Sequence, residues 1–233
     1  LYPADFILEG KDQIRGWFNI LLVASMVAME KPSYKAVYMH GFIMQPLSQK
    51  LQKMGYQTQV ISYNTVAIND DQVFKAIDMA LDRTQTNVLV GHSLGGLMIK
   101  HYLASRQPST SLISHVVALG SPLRGASIVG KIQNLGLGAM LGNSTLYGLE
   151  KHDDHWRFAQ KLGSIAGTLP FGFRPILLGT ALLSDGTVTV EETKIEGMTD
   201  HAVTRHSHTS MIYSNYVTDQ IDAFIRHNRF QHH

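Results

Sequence analysis

Short apolar runs rich in β-branched residues alternate with runs of helical spacing along this chain, and that alternation restricts the fold more than any other feature. Lys35 to Met39 reads as a short buried strand, followed by a His40-Gly41 loop and by Pro46 to Tyr56, where Leu47, Leu51 and Met54 share a helix face. Gln57 to Tyr63 reads as another strand, and Asp71 to Arg83 carries Val73, Ile77, Ala80 and Leu81 at helical spacing. Asn87 to Val90 is a strand continued as helix by Leu97, Ile99, Lys100 and Tyr102. His115 to Leu119 closes on Gly120-Ser121-Pro122; Ser164 to Ala166 and Ala202 to His206 are weaker strand candidates. Parallel strands need long crossovers, and helices supply them, so the expectation is an α/β fold: a mostly parallel sheet with helices on both faces.

A chain of 233 residues can bury a substantial core and suits one domain spanning 1–233. Its 44% hydrophobic and 16% charged residues fit a globular protein rather than a disordered one. Twenty Lys and Arg against 18 Asp and Glu give a net charge of +2, and no long run of like charge could track a phosphate backbone. Nucleic acid is therefore not an expected partner. The absence of cysteine excludes a disulfide, a thiolate nucleophile and a Cys-based zinc site, but leaves the compartment open.

Trp17 to Met29, "WFNILLVASMVAM", is the most apolar stretch, and its 13 residues fall short of the ~18 to 20 that span a bilayer. Its length suits the apolar region of a signal peptide, with Lys11 and Arg15 ahead of it, yet a packed helix is the expectation, or one lying on a lipid surface. Residues 1–30 are thus read as an apolar helical extension. From about 124 to 183 the pattern loosens, with five glycines between Gly125 and Gly142, and this region is read as an inserted cap.

Gly91-His92-Ser93-Leu94-Gly95 fits G-x-S-x-G, the corner in which a serine projects above a sheet between strand and helix. The pentapeptide alone is weak, because glycine and serine are common. Its position between Val88-Leu89-Val90 and the helical run is what makes Ser93 a candidate nucleophile. Bulky groups at Gly91 and Gly95 are expected to collide with neighbouring backbone at so tight a corner. Acyl transfer also builds negative charge on a carbonyl oxygen, which two backbone N–H groups can stabilise. Leu94, after the nucleophile, and Phe42, after Gly41, are the expected donors, with His40 bracing that loop.

The set "HGF", "GHSLGG", "ALGSPLRGA", "SDGTVTVEET" and "HSHTSMIYS" resembles the bacterial lipases and esterases of the α/β-hydrolase fold, and the related inositol-deacylase-like hydrolases. The resemblance runs from about Lys35 to the C-terminus and leaves residues 1–30 uncovered. Such enzymes pair the serine with an imidazole that takes its proton and a carboxylate that orients the imidazole. His201, His206 and His208 compete; the lipase pattern, with its histidine just ahead of a segment like "SMIYS", implies His208. The family's Asp-Gly turn implies Asp185 as the acid, while Asp200, eight positions before His208, is the alternative.

His152, Asp153, Asp154 and His155 could suggest a metal, as in lipase relatives with a His/Asp zinc site in an extra subdomain. This chain lacks room for that subdomain, so a solvated helix start is expected, without metal or other cofactor. The resemblance thus implies a carboxylic ester hydrolase working through an acyl-serine. Ile128 to Leu149 and Leu169 to Leu183 would wall an acyl pocket for lipid or medium-chain esters and form a small lid, with transient contact at a lipid interface. A thioesterase or acyltransferase on the same residues is the alternative chemistry. A non-catalytic relative acting as a binding protein is the alternative class.

Overall fold

The computed structural model describes residues 44–63, 68–127, 155–171 and 182–232, together with the backbone of Ile7–Gly10 and Val37–His40. Its centre is a four-stranded, all-parallel sheet whose spatial order follows the chain: β3 (Asn87–His92), β4 (Ile113–Leu119), β5 (Lys161–Gly167) and β6 (Asp200–Thr204). In β4, successive side chains serve opposite faces, as the two-residue period of a strand requires. Val116 and Ala118 enter one core and Val117 and Leu119 the other. Both faces are covered, which is why this strand reads as a continuous apolar run.

On the Val116 face lie α2 (Asp70–Ala80) and α3 (Leu94–Arg106). Asn69 caps α2 by accepting a hydrogen bond from Gln72 N at 3.0 Å, Asp70 and Asp71 complement the helix dipole, and Val73, Phe74 and Ile77 turn inward. Helix α3 buries Leu97, Met98, Ile99, Tyr102 and Leu103, so it is apolar nearly all round, as expected of a helix in the middle of a domain. The Tyr102 hydroxyl donates to Asp78 Oδ1 at 2.8 Å and ties α3 to α2.

On the other face lie α1 (Gln45–Lys53), which buries Leu47 and Leu51, and α4 (Asn215–His227). Ser214 caps α4 by accepting from Val217 N at 3.2 Å, and Val217, Ile221 and Phe224 form its inward stripe. A 3-10 turn, Ser210–Tyr213, precedes α4, so Met211 and Ile212 are buried just before the helix rather than at its start.

Three expectations are revised. Gln57 to Tyr63 forms no strand, although exposed and half-buried residues alternate along part of it. The period-two pattern is present, but a strand also needs a neighbouring ladder. Residues 1–30, read as helical, contain a strand, β1 (Ile7–Gly10), which pairs in parallel with β2 (Val37–His40), Ile7 opposite Val37, in a two-stranded ladder separate from the central sheet among the described residues. Finally, β5 lies inside the 124–183 stretch read as cap, so part of that stretch is central scaffold. Trp17 to Met29 and Ile128 to Leu149 lie outside the described residues, as does most of Leu169 to Leu183.

Candidate active site

Strand β3 runs into α3 with only Ser93 between them. The turn is tight enough to place Ser93 at φ 55° and ψ −123°, a conformation non-glycine residues seldom adopt and one that costs of order 1–3 kcal/mol. Its N–H still donates to Leu119 O at 2.9 Å, so the corner is anchored on β4. Leu94 opens α3, and the first N–H groups of a helix have no partner within it.

The glycines around this corner do different jobs. A Cβ at Gly91 would lie 2.6 Å from Gly95 C and Gly96 N, so the crossing of strand and helix leaves no space there. Gly95, expected to be equally crowded, would meet nothing within 4 Å among the described residues. The second tight position is Gly96, where a Cβ would lie 2.6 Å from Ser121 Cβ. The helix is pressed against the loop after β4 one residue later than the motif suggests.

Asp185 sits in a turn closed by its own side chain. Its Oδ1 accepts from Thr187 N at 2.9 Å and Val188 N at 2.8 Å, and Gly186, at φ 99°, supplies the left-handed backbone. Its Oδ2 faces His208 Nδ1 at 2.7 Å. The carboxylate is fully buried while the His208 side chain is 14% exposed, so the imidazole bridges buried acid and solvent. A carboxylate can only accept, so the proton lies on Nδ1 and neutral His208 keeps Nε2 as its basic nitrogen. The backbone is held as well, with His208 N donating to Asp185 O at 2.9 Å.

Two contacts connect this pair to the serine corner. The rings of His92 and His208 have centroids 4.6 Å apart, and His92 Nε2 lies 2.8 Å from His208 O. Leu119, which accepts the Ser93 N–H, is followed by Gly120, at φ 52°. A Cβ at Gly120 would lie 2.8 Å from Asp185 Oδ2 and 3.1 Å from His208 Nδ1, so only glycine lets the end of β4 approach the acid–base pair. Sequence reasoning singled out neither His92 nor the packing role of Gly120. The signal for His92 was its place inside the pentapeptide; Gly120 was visible only as a strand end.

The competing residues are engaged elsewhere. Asp200 accepts from Phe230 N at 2.6 Å, from His201 N at 2.8 Å and from His232 Nε2. His201 Nε2 contacts Thr193 Oγ1 at 2.9 Å, and His206 Nδ1 contacts Thr204 Oγ1 at 2.6 Å. Burial, foremost, and the nearby Lys194 charge push the His201 pKa down to about 4. His155 pairs with Glu196, and among the described residues no group of three His, Cys, Asp or Glu is placed to hold a metal ion. His152, Asp153, Asp154 and Phe42 lie outside the described residues, and only the backbone of His40 is described. No helix among the described residues is long and apolar enough to cross a membrane.

Comparison with known proteins divides the chain. Residues 1–75 match the family model of class I tRNA synthetases for isoleucine, leucine, methionine and valine. Isoleucine–tRNA ligases of Archaeoglobus fulgidus and Malacoplasma penetrans are 53% and 48% identical over 53 and 52 residues, 23% and 22% of this chain. These stretches amount to only 5% and 6% of the ligases' own lengths. Among solved structures, the chain is similar to a Bacillus licheniformis lipase in mature form (TM-score 0.46, 16% identity, 97% of this chain and 91% of the lipase). It is also similar to a metagenomic carboxyl esterase (TM-score 0.49, 16% identity, 90% and 66%). The stretch beginning at about Lys35, read above as hydrolase-like, therefore overlaps the synthetase match, and "HGF" lies within that match. Ser93, Asp185 and His208 all lie beyond residue 75.

Proposed function

We propose that this chain is a serine hydrolase that cleaves carboxylic esters through an acyl-serine. Ser93 attacks the ester carbonyl, His208 takes its proton and returns it to the leaving alcohol, and Asp185 holds His208 with its proton on Nδ1. The Leu94 N–H is one donor to the oxyanion and the Phe42 N–H the second. The reading is carried by the 2.7 Å Asp185–His208 bond, which joins a fully buried carboxylate to an imidazole packed against the residue preceding Ser93. A buried, hydrogen-bonded acid next to a partly exposed base, beside a strained serine corner, suits proton transfer better than it suits stability alone.

The synthetase match supports no aminoacylation reading, because about a twentieth of a ligase's length contributes none of Ser93, Asp185 or His208. Lipid or medium-chain acyl esters are the proposed substrates, on the apolar composition of Ile128 to Leu149 and Leu169 to Leu183. The test is hydrolysis of p-nitrophenyl esters from acetate to palmitate by the wild type and by Ser93→Ala. Activity that rises toward medium chains and falls by at least about 10³-fold in the variant is expected. A wild type inert on every ester, or a variant as active as wild type, would refute it.

A further inference from the structure

We infer that His92 is a positioning residue that holds the proton-transferring His208 in place through its main-chain carbonyl. The inference rests on the reading of Ser93, Asp185 and His208 as a catalytic set. His208 is fixed by Asp185 at two points, its own N–H and its Nδ1. Both of these bonds come from one residue, Asp185. The third point is His92, whose Nε2 lies 2.8 Å from the His208 carbonyl oxygen. A carbonyl oxygen has no proton to give, so His92 must donate from Nε2, which fixes its neutral tautomer. The 4.6 Å separation of the two rings, tilted by 45°, adds a packing contact on the face of the imidazole.

His92 is suited to this by its place in the chain. It is the last residue of β3, opposite Leu119 in the ladder, and is bonded directly to Ser93. The same strand end therefore carries the nucleophile and contacts the base, which couples the position of His208 directly to that of Ser93 in addition to its bonds to Asp185. Burial, and the proximity of His208, push the His92 pKa down to about 3, so the ring stays neutral while His208 becomes a cation during turnover. A charged side chain here would oppose that imidazolium. An aliphatic one would leave the His208 carbonyl without its donor.

The test compares wild type, Ser93→Ala, His92→Phe and His92→Gln on p-nitrophenyl butyrate, with thermal melting to confirm folding. Phenylalanine keeps the ring contact and loses the donor; glutamine keeps an N–H near the position of Nε2 and loses the ring. The expected result is a kcat lowered about 10- to 100-fold in His92→Phe with KM within about threefold of wild type, and recovery to within about fivefold in His92→Gln. The His92 role is overturned if His92→Phe turns over like wild type, if glutamine is no better than phenylalanine, or if the loss falls in KM alone. If Ser93→Ala keeps wild-type activity, the catalytic set itself is wrong and the His92 role falls with it.

Discussion

Replacing Asp185 by asparagine should abolish most turnover while leaving the fold intact, for a reason specific to this turn. The two side chains are nearly the same size, so the buried site can accept the change without a cavity. The carboxylate oxygen Oδ1 accepts two backbone N–H groups, from Thr187 and Val188. An asparagine NH₂ placed there would confront both donors and forfeit two hydrogen bonds at ~1–3 kcal/mol each. The amide oxygen must therefore occupy the Oδ1 position, and the NH₂ must occupy that of Oδ2, 2.7 Å from His208 Nδ1. Facing a donor, Nδ1 becomes the acceptor, and the imidazole proton moves to Nε2, the nitrogen that should receive the serine proton. A base in the wrong tautomer costs roughly 10³- to 10⁴-fold in kcat, or ~4–5.5 kcal/mol of barrier. Steady-state kinetics on p-nitrophenyl butyrate should show that loss in Asp185→Asn with KM within about threefold of wild type. Asp200→Asn, whose bonds go to Phe230, His201 and His232, should keep kcat within about threefold. An Asp185→Asn variant retaining a tenth of wild-type kcat, or an equal loss in Asp200→Asn, would show that Asp185 does not set the His208 tautomer.

Gly96→Ala should destabilise the protein by ~1–3 kcal/mol, because its new methyl group meets fully buried Ser121; Gly95→Ala should be neutral or gain up to ~1 kcal/mol of helix propensity. Urea unfolding of the two variants decides it, and equal losses would contradict the packing described. Stability should also fall with acid through His201. Its folded pKa of about 4 lies below the unfolded 6.5, so between these values the unfolded chain binds more protons. This contribution is complete above pH 6.5 and is lost as the pH falls toward 4. His201→Gln should therefore show a melting temperature that declines less steeply over that window, whereas an unchanged slope would argue against a buried neutral His201.

Legibility in the sequence followed the range of the interactions. The serine corner was readable because strand, glycines and helix are contiguous, and β4 because residues buried on both faces form an unbroken apolar run. Asp185 and His208 are 23 residues apart, and their candidacy rested on a family pattern. Nothing local separates His208 from His201 and His206, since each acquires its partner only in the folded structure. The failures have the same origin. Gln57 to Tyr63 has a strand's alternation but no ladder, and Gly95 was credited with crowding that the helix turn delivers to Gly96 instead. The helical reading of residues 1–30 missed β1, because a strand of four residues leaves too short a pattern to read and is defined by its partner β2, which begins only at Val37. His92 escaped notice because its partner is a main-chain carbonyl, which no side-chain motif records.

If Ser93 is an activated nucleophile, it will be labelled covalently by a reagent that mimics an ester. Wild-type protein, Ser93→Ala and Asp185→Asn would be treated with an alkyl fluorophosphonate and the modified peptide located by mass spectrometry. Label should be confined to the peptide containing Ser93, absent from Ser93→Ala, and slower to form in Asp185→Asn by at least about 10²-fold. No label on the folded wild type, label on a different residue, or undiminished label in Ser93→Ala would contradict this role for Ser93.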